Sequence, residues 1–422
     1  YKRQALYLSE NGKKRLKRST RFWVSCKKQI RFLLKRSGNL KRKSNESKVS
    51  SMVKVKEIVN RFYRFAPRFI AEPNDPVGLQ LGDMEHEVKK MMLTLDVRPD
   101  VVKEAIENDV DFIFAHHPAM FVPVHQIDLS NPQQKMYADI LKHEITVFGA
   151  HTLLDNANGG TSDWLAEDLG LKDCEILLSE KQETWYKLAV FVPENDAEKL
   201  RNALGAAGAG KLGNYSHCSY SLKGTGRFLP EDAANPYIGT PGKAEEVAEQ
   251  KVEVVFPAHL KEQVLDAMRK NHPYEEIAFD LYRVEGLGEK YGMGRIGNLR
   301  HPMTVKEYAE FAKKALNVEG VRLIAKDQNK LVKKVAVLGG SGSKFYGDAL
   351  KKGADVYVTG DVTYHTAHDI YESGLAVIDP GHYFESVCKY RLTDIFKNWT
   401  KEENWPIEVM TSRINTNPFK LI

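Results

Sequence analysis

Asp111-Phe112-Ile113-Phe114-Ala115-His116-His117-Pro118 is the stretch on which the reading of this chain turns. A short apolar run ends in two adjacent histidines and a proline. It predicts a buried strand, stopped at Pro118 because proline has no N–H to give a sheet ladder. Neighbouring side chains of a regular strand point to opposite faces. Both imidazoles therefore reach one cavity only if the chain bends at the strand end, which is where open α/β sheets place their ligands. One core histidine and one solvated histidine is the bland alternative, and the rest of the chain has to decide.

Upstream, Met91 to Asp96 reads as a strand and residues 99–107 as a helix with Pro99 in its first turn. With the strand at 111–115 this is a β-α-β unit, which predicts a parallel pair. Before it, Val55, Ile58, Val59, Phe62 and Phe65 recur at helical spacing, and a turn-rich run follows at 73–80. Downstream come a helix over 133–143, a strand over 145–150 running into His151 and Asp155, and a helix over 161–169 with Thr161 or Ser162 as N-cap.

Near residue 184 the pattern changes. Strands at 185–193, 216–222, 251–255 and 278–284 alternate with helices at 196–206 and 260–270, and a Gly/Pro-rich loop spans 224–242. This β-α-β-β-α-β order predicts an inserted ferredoxin-like α+β domain. The α/β pattern then resumes with a capped helix from Thr304, where Glu307 completes a capping box. Strands follow at 334–338, 356–359 and 375–378, with a helix from 383 to about 398 and a last strand over 407–410. Gly339-Gly340-Ser341-Gly342 lacks the Walker lysine and the GxGxxG spacing, so it reads as a tight turn rather than a phosphate cradle. The fold class expected is α/β, with two similar halves packed together, 52–183 and 289–422, around an insert at 184–288.

Apolar residues make up 42% and charged residues 28% of the 422, as in globular domains, and no apolar run has the length of a membrane span. Four scattered cysteines (Cys26, Cys174, Cys218, Cys388) without a CxxC suit a reducing cytoplasm rather than a disulfide framework. The net charge of +6 hides an asymmetry: residues 1–51 hold 17 Lys and Arg against 2 Asp and Glu, so the body is acidic. That segment reads as an extension upstream of a start at Met52; a basic tail for nucleic acid or membrane, or a solvated arm, are the other readings. Neither a nucleic-acid nor a membrane partner is expected for the body.

Five residues fall where two α/β halves would bring strand ends together: His116, His117, Asp155, His382 and Glu385. His382 and Glu385, three apart, share a face of a helix start. Imidazoles and carboxylates in this mix suit Zn, Mn or Fe. Five ligands exceed the needs of one catalytic zinc and are enough for two ions sharing a carboxylate or water. Asp96, Asp361 and His365 lie near the same strand ends, as caps or as support and proton transfer, and His151 reads as a structural hydrogen-bonding residue. His217, Cys218 and His272 are a weaker metal candidate in the insert, because Cys218 is expected to be buried.

Four blocks resemble, in order, those of the NIF-three-like family, also called GTP cyclohydrolase I type 2 homologues. They are Phe114 to Pro118, His151 to Asp155, Thr359 to His365 and Asp379 to Glu385. The insert, with Gly213-Asn214-Tyr215 and His272-Pro273-Tyr274-Glu275-Glu276, resembles the PII-like domain of longer bacterial members. The resemblance implies that His116, His117, Asp155, His382 and Glu385 hold two divalent metal ions, and that the chain forms a toroidal homohexamer. Two positions depart from the family pattern: Leu153 stands where Asn is frequent, and Glu385 follows His382 by three residues instead of four. The leading expectation is a metal-dependent hydrolase of nucleotides or related phosphates, in which two metals activate a water and His365 or Asp361 assists proton transfer. The alternative is a metal-binding regulator or scaffold whose insert senses a small molecule.

Overall fold

The computed structural model describes residues 52–178 and 180–422; the basic segment 1–51, with the readings made of it, lies outside them. Its first sheet places the strands in the order Glu408–Thr411, Lys90–Thr94, Phe112–Ala115, Thr146–Gly149, Gly78–Leu81. All neighbours run parallel except the Gly78–Leu81 edge. The central strand is buried on both sides, and its period of two sorts its side chains. Phe112 and Phe114 enter a core with the Val55–Phe65 and Val387–Glu402 helices, while Ile113 and Ala115 face the Pro99–Glu107 and Pro132–Lys142 helices.

The second sheet runs Arg322–Ile324, Ala376–Asp379, Val356–Val358, Leu331–Val337, Arg295–Thr304, Leu171–Ile176. Its first four strands, an antiparallel edge and three parallel strands, repeat the direction pattern of Gly78–Leu81, Thr146–Gly149, Phe112–Ala115 and Lys90–Thr94 in the first sheet. The repeat extends to details. Asp111 accepts the Lys89 and Lys90 N–H groups at 2.7 and 2.8 Å, and Asp355 accepts those of Lys333 and Lys334 at 3.0 and 2.9 Å. Each aspartate thus satisfies backbone N–H groups of the neighbouring strand just where the parallel pairing begins. The fold is mixed α/β, as the sequence predicts.

The two sheets exchange strands. Leu171–Ile176 leaves the first half to pair with Arg295–Thr304. Glu408–Thr411, at the far end of the chain, pairs with Lys90–Thr94. A buried fork strengthens the join: Arg295, 3% exposed, holds both carboxylate oxygens of Asp163 at 2.6 and 2.8 Å. Thr304 and Glu307 form the expected capping box. At the 161 helix the cap is Gly160 instead, because the Ser162 hydroxyl donates to the Asp155 carbonyl at 2.8 Å.

Between the halves, strands Trp185–Pro193, Tyr220–Phe228, Glu245–Pro257 and Phe279–Val284 form a separate antiparallel sheet. Helices Ala197–Ala206 and Lys261–Asn271 pack on one of its faces through Leu200, Leu204, Val264 and Met268. No helix among the described residues is long and apolar enough to cross a membrane.

Candidate metal centre

Past Ala115 the strand ends and the chain bends. His116 N–H bonds to the Thr94 carbonyl at 3.1 Å and His117 N–H to that of Leu95 at 2.8 Å. The bend brings the two imidazoles within 4.8 Å of each other and of the Glu385 carboxylate. His116 is fully buried. Neither of its ring nitrogens has a hydrogen-bond partner, nor does Asp155 Oδ1, which faces His116 Nε2 at 3.5 Å. Buried polar atoms without partners are costly, and a cluster of them is what a site built for an ion leaves when protein atoms alone are counted.

Glu385 is the hub. Its Oε1 lies 3.8 Å from His116 Nε2, and its Oε2 lies 3.1 Å from His117 Nε2 and 3.2 Å from His382 Nε2. Two donor groups therefore meet on one carboxylate, His116 with Asp155 on one side and His117 with His382 on the other. The segment His382–Ser386 is a 3₁₀ turn, not the start of the α-helix expected from 383; the α-helix begins at Val387. In a 3₁₀ turn residues three apart eclipse. The three-residue spacing of His382 and Glu385 is thus the one that aligns them.

The other nitrogen of each outer histidine is fixed by a carboxylate from the neighbouring strand end. His117 Nδ1 meets Asp96 Oδ1 at 2.7 Å, and His382 Nδ1 meets Asp361 Oδ2 at 2.7 Å. These bonds leave both Nε2 atoms aimed at Glu385, the arrangement that orients imidazole ligands in metal sites. Asp96 is itself held by the Thr416 hydroxyl, and His151 by Asp75 at 2.6 Å. Asp75 and Thr416 escape sequence reading, since each is a lone polar residue in an irregular run, brought in only by the fold.

The charges follow from these contacts. Burial lowers the His117 pKa, but Asp96 and Glu385 outweigh it and push it up to about 10. Glu385, with Asp361, raises that of His382 to about 9 against its burial. Glu385 is pushed up by burial, yet the three histidines hold it well below the usual carboxylate range. Burial raises Asp155.

Three of the five ligand candidates, His116, His117 and His382, meet directly on a fourth, Glu385, and Asp155 joins through His116. Asp361 touches the site through His382. His365 does not join it: it is exposed on the Tyr364–Ser373 helix, with its ring beside Tyr364. The Gly339–Gly342 turn lies against the site, since a Cβ on Gly339 would stand 2.3 Å from Glu385 Oε1. Leu153, at the departure from the family pattern, is buried in the core between the first sheet and its helices. In the insert, His272 spends both ring nitrogens on the backbone of Phe191 and Tyr274, and Cys218 is half-buried rather than buried. Among the described residues no metal-binding group of three forms there. A cavity of about 290 Å³ opens beside His117, lined by Asp96, Arg98, Phe121 and Tyr137.

Residues 53–418 match the model of the Duf34/NIF3 (NGG1p interacting factor 3) family. A Bacillus subtilis relative named GTP cyclohydrolase 1 type 2 homolog is 44% identical over 374 residues, covering 89% of this chain and all of that one. A crystal structure of a Bacillus cereus protein related to NIF3 superposes with a TM-score of 0.79 at 40% identity, covering 88% of this chain and all of that one. A Staphylococcus aureus structure superposes with a TM-score of 0.74 at 30% identity, covering 88% of this chain and 99% of that one.

Proposed function

This chain belongs to the Duf34/NIF3 family, and we propose that it is a metal-dependent hydrolase of a nucleotide or a related phosphate compound. One observation carries the reading: the buried His116 ring and Asp155 Oδ1 lack protein partners, and Glu385 stands between them and two further imidazoles. The donors fit a first-row divalent cation, Zn, Mn or Fe. We assign His116, Asp155, His117, His382 and Glu385 as ligands of two ions per chain, with Glu385 common to both groups. Bound there, such ions supply a water of lowered pKa and polarise a carbonyl or phosphoryl oxygen.

The chain's own residues do the rest. Asp96 and Asp361 fix the tautomers of His117 and His382. Asp361 also holds a proton at His382 Nδ1. Arg98 in the adjoining cavity, where its Nη1 donates to Gln133 Oε1 at 3.2 Å, offers positive charge to an anionic substrate. Ring opening of GTP, from the name the relatives carry, is the special case of this chemistry. A ring-shaped homohexamer in the cytoplasm, with the insert as a PII-like module, completes the reading.

Elemental analysis of the full chain beside Asp155→Ala and Glu385→Ala tests it, followed by a screen of nucleotides and phosphoesters with metal-loaded protein. About two first-row ions per chain, halved or lost in the variants, together with turnover in the screen, support it. Absence of stoichiometric metal after reloading, or of any turnover, overturns it. A second reading, a metal-stabilised regulator that senses a small molecule, is favoured by the large cavity of the insert. Ligand-induced thermal stabilisation that persists in His116→Ala would single it out.

A further inference from the structure

The inserted sheet carries a cavity that the metal chemistry does not use. Val190, Val192, Val252 and Val254 pack under the two helices, so by alternation Phe191, Glu249 and Lys251 face the other side. A loop covers that side. Gly242 N–H bonds to the Pro230 carbonyl at 2.8 Å and closes its neck, and Asn235 N–H bonds to Glu275 Oε1 at 2.8 Å and ties it to the turn after His272. Between loop and sheet lies a cavity of about 770 Å³, lined among others by Leu222, Phe228, Tyr237, Glu249 and Tyr274. That volume is in the range of small-molecule sites.

The walls are aromatic and one polar group lies deep. Phe228 and Tyr237 stand 6.0 and 6.3 Å, centroid to centroid, from Tyr274. Glu249 is 7% exposed, and its Oε1 accepts the Tyr274 hydroxyl at 2.9 Å. Its Oε2 has no protein donor among the described residues. Gly226 keeps space beside that oxygen, since a Cβ there would stand 2.3 Å from it. The cations of the lining are engaged elsewhere: Lys223 with Glu194 at 3.3 Å, Arg227 with Glu246 at 2.9 Å and Lys251 with Glu253 at 2.7 Å. A buried carboxylate in an aromatic box, with no cation of its own, calls for a ligand that brings N–H donors and a flat ring.

We propose that this cavity binds a planar, nitrogen-rich aromatic molecule of nucleoside size, its ring among Phe228, Tyr237 and Tyr274 and its N–H edge on Glu249. Guanine presents two adjacent N–H donors on one edge, which match a carboxylate. Adenine places an acceptor there and is disfavoured. The site is independent of the metal centre and needs no phosphate.

Calorimetric titration of the full chain with guanosine and with adenosine tests this, on metal-loaded and on chelator-stripped protein. Guanosine is expected to bind both forms alike and more tightly than adenosine. Glu249→Gln is expected to weaken it about tenfold or more, the weight of a charged hydrogen bond. Tyr237→Ala, on the exposed loop and therefore safe for folding, is expected to weaken it by a similar factor through lost stacking. No binding at millimolar guanosine overturns the proposal, as does adenosine binding equally well, or unchanged affinity in both variants. Binding lost on metal removal moves the nucleoside to the metal centre, which overturns this site and leaves the hydrolase reading intact. A change of oligomeric state in the variants without nucleoside binding makes the cavity a subunit contact and overturns it too.

Discussion

Gly339 stands against Glu385 so closely that a single methyl group would touch the carboxylate: a Cβ there would lie 2.3 Å from Oε1. Glu385 is almost fully buried and joins three histidines, so it has no room to retreat. The glycine turn after the Leu331–Val337 strand is therefore part of the metal centre, although it offers no ligand.

Gly339→Ala is expected to displace Glu385 and to lower the metal content of the purified protein at least twofold by elemental analysis. Gly347→Ala is the control. It lies in the Tyr346–Lys351 helix with open space around its Cα, and should leave metal content unchanged and raise stability by up to about 1 kcal/mol.

Asp96→Asn and Asp361→Asn each remove the charge that holds one Nδ1 while keeping the shape. Each should weaken metal binding by about 10- to 100-fold, measured by competition with a chromogenic chelator, without loss of fold. Equal affinity in both variants would mean that the histidines are oriented by packing alone.

Asp163→Ala should destabilise the chain by about 1.5–3 kcal/mol in denaturant unfolding, since it leaves the buried Arg295 guanidinium with only the Gly292 and Gly294 carbonyls as partners. The loss should appear in metal-free protein as well, because this pair stitches the Thr161–Asp168 helix to the second sheet and includes none of the proposed ligands.

His272 sets a pH dependence in the insert. Burial lowers its pKa from the ordinary 6.5, against the pull of the Phe191 carbonyl. The unfolded chain then takes up a proton at a higher pH than the folded one, so stability is present above about 6.5 and is lost as pH falls toward the folded pKa. Thermal unfolding should show a transition whose midpoint drops below pH 6.5, and His272→Asn should flatten that slope.

Much of the site was legible because strand ends announce themselves. Phe112 to Ala115 reads as a strand from its apolar run, and the adjacent histidines mark where it stops. The 3₁₀ turn at His382–Ser386 was not legible, because it runs directly into the Val387–Glu402 helix without a break. The Leu171–Ile176 strand was missed for a different reason. It is an edge strand with four of its six residues exposed, so it carries no apolar alternation. The closeness of Gly339 to Glu385 is a contact across 46 residues, and no local pattern encodes it.

The exchange of strands has a consequence for how this chain comes into being on the ribosome. The Lys90–Thr94 strand emerges early, yet its neighbour Glu408–Thr411 is translated more than three hundred residues later. The Lys90–Thr94 side of the first sheet therefore stays unpaired through most of synthesis, while the four strands of the insert pair only with one another, within residues 185–284. A nascent chain stalled before residue 408 would expose a row of unsatisfied backbone groups beside Met91 and Met92, a template for aggregation. A tandem of two self-contained halves would carry no such late-closing edge.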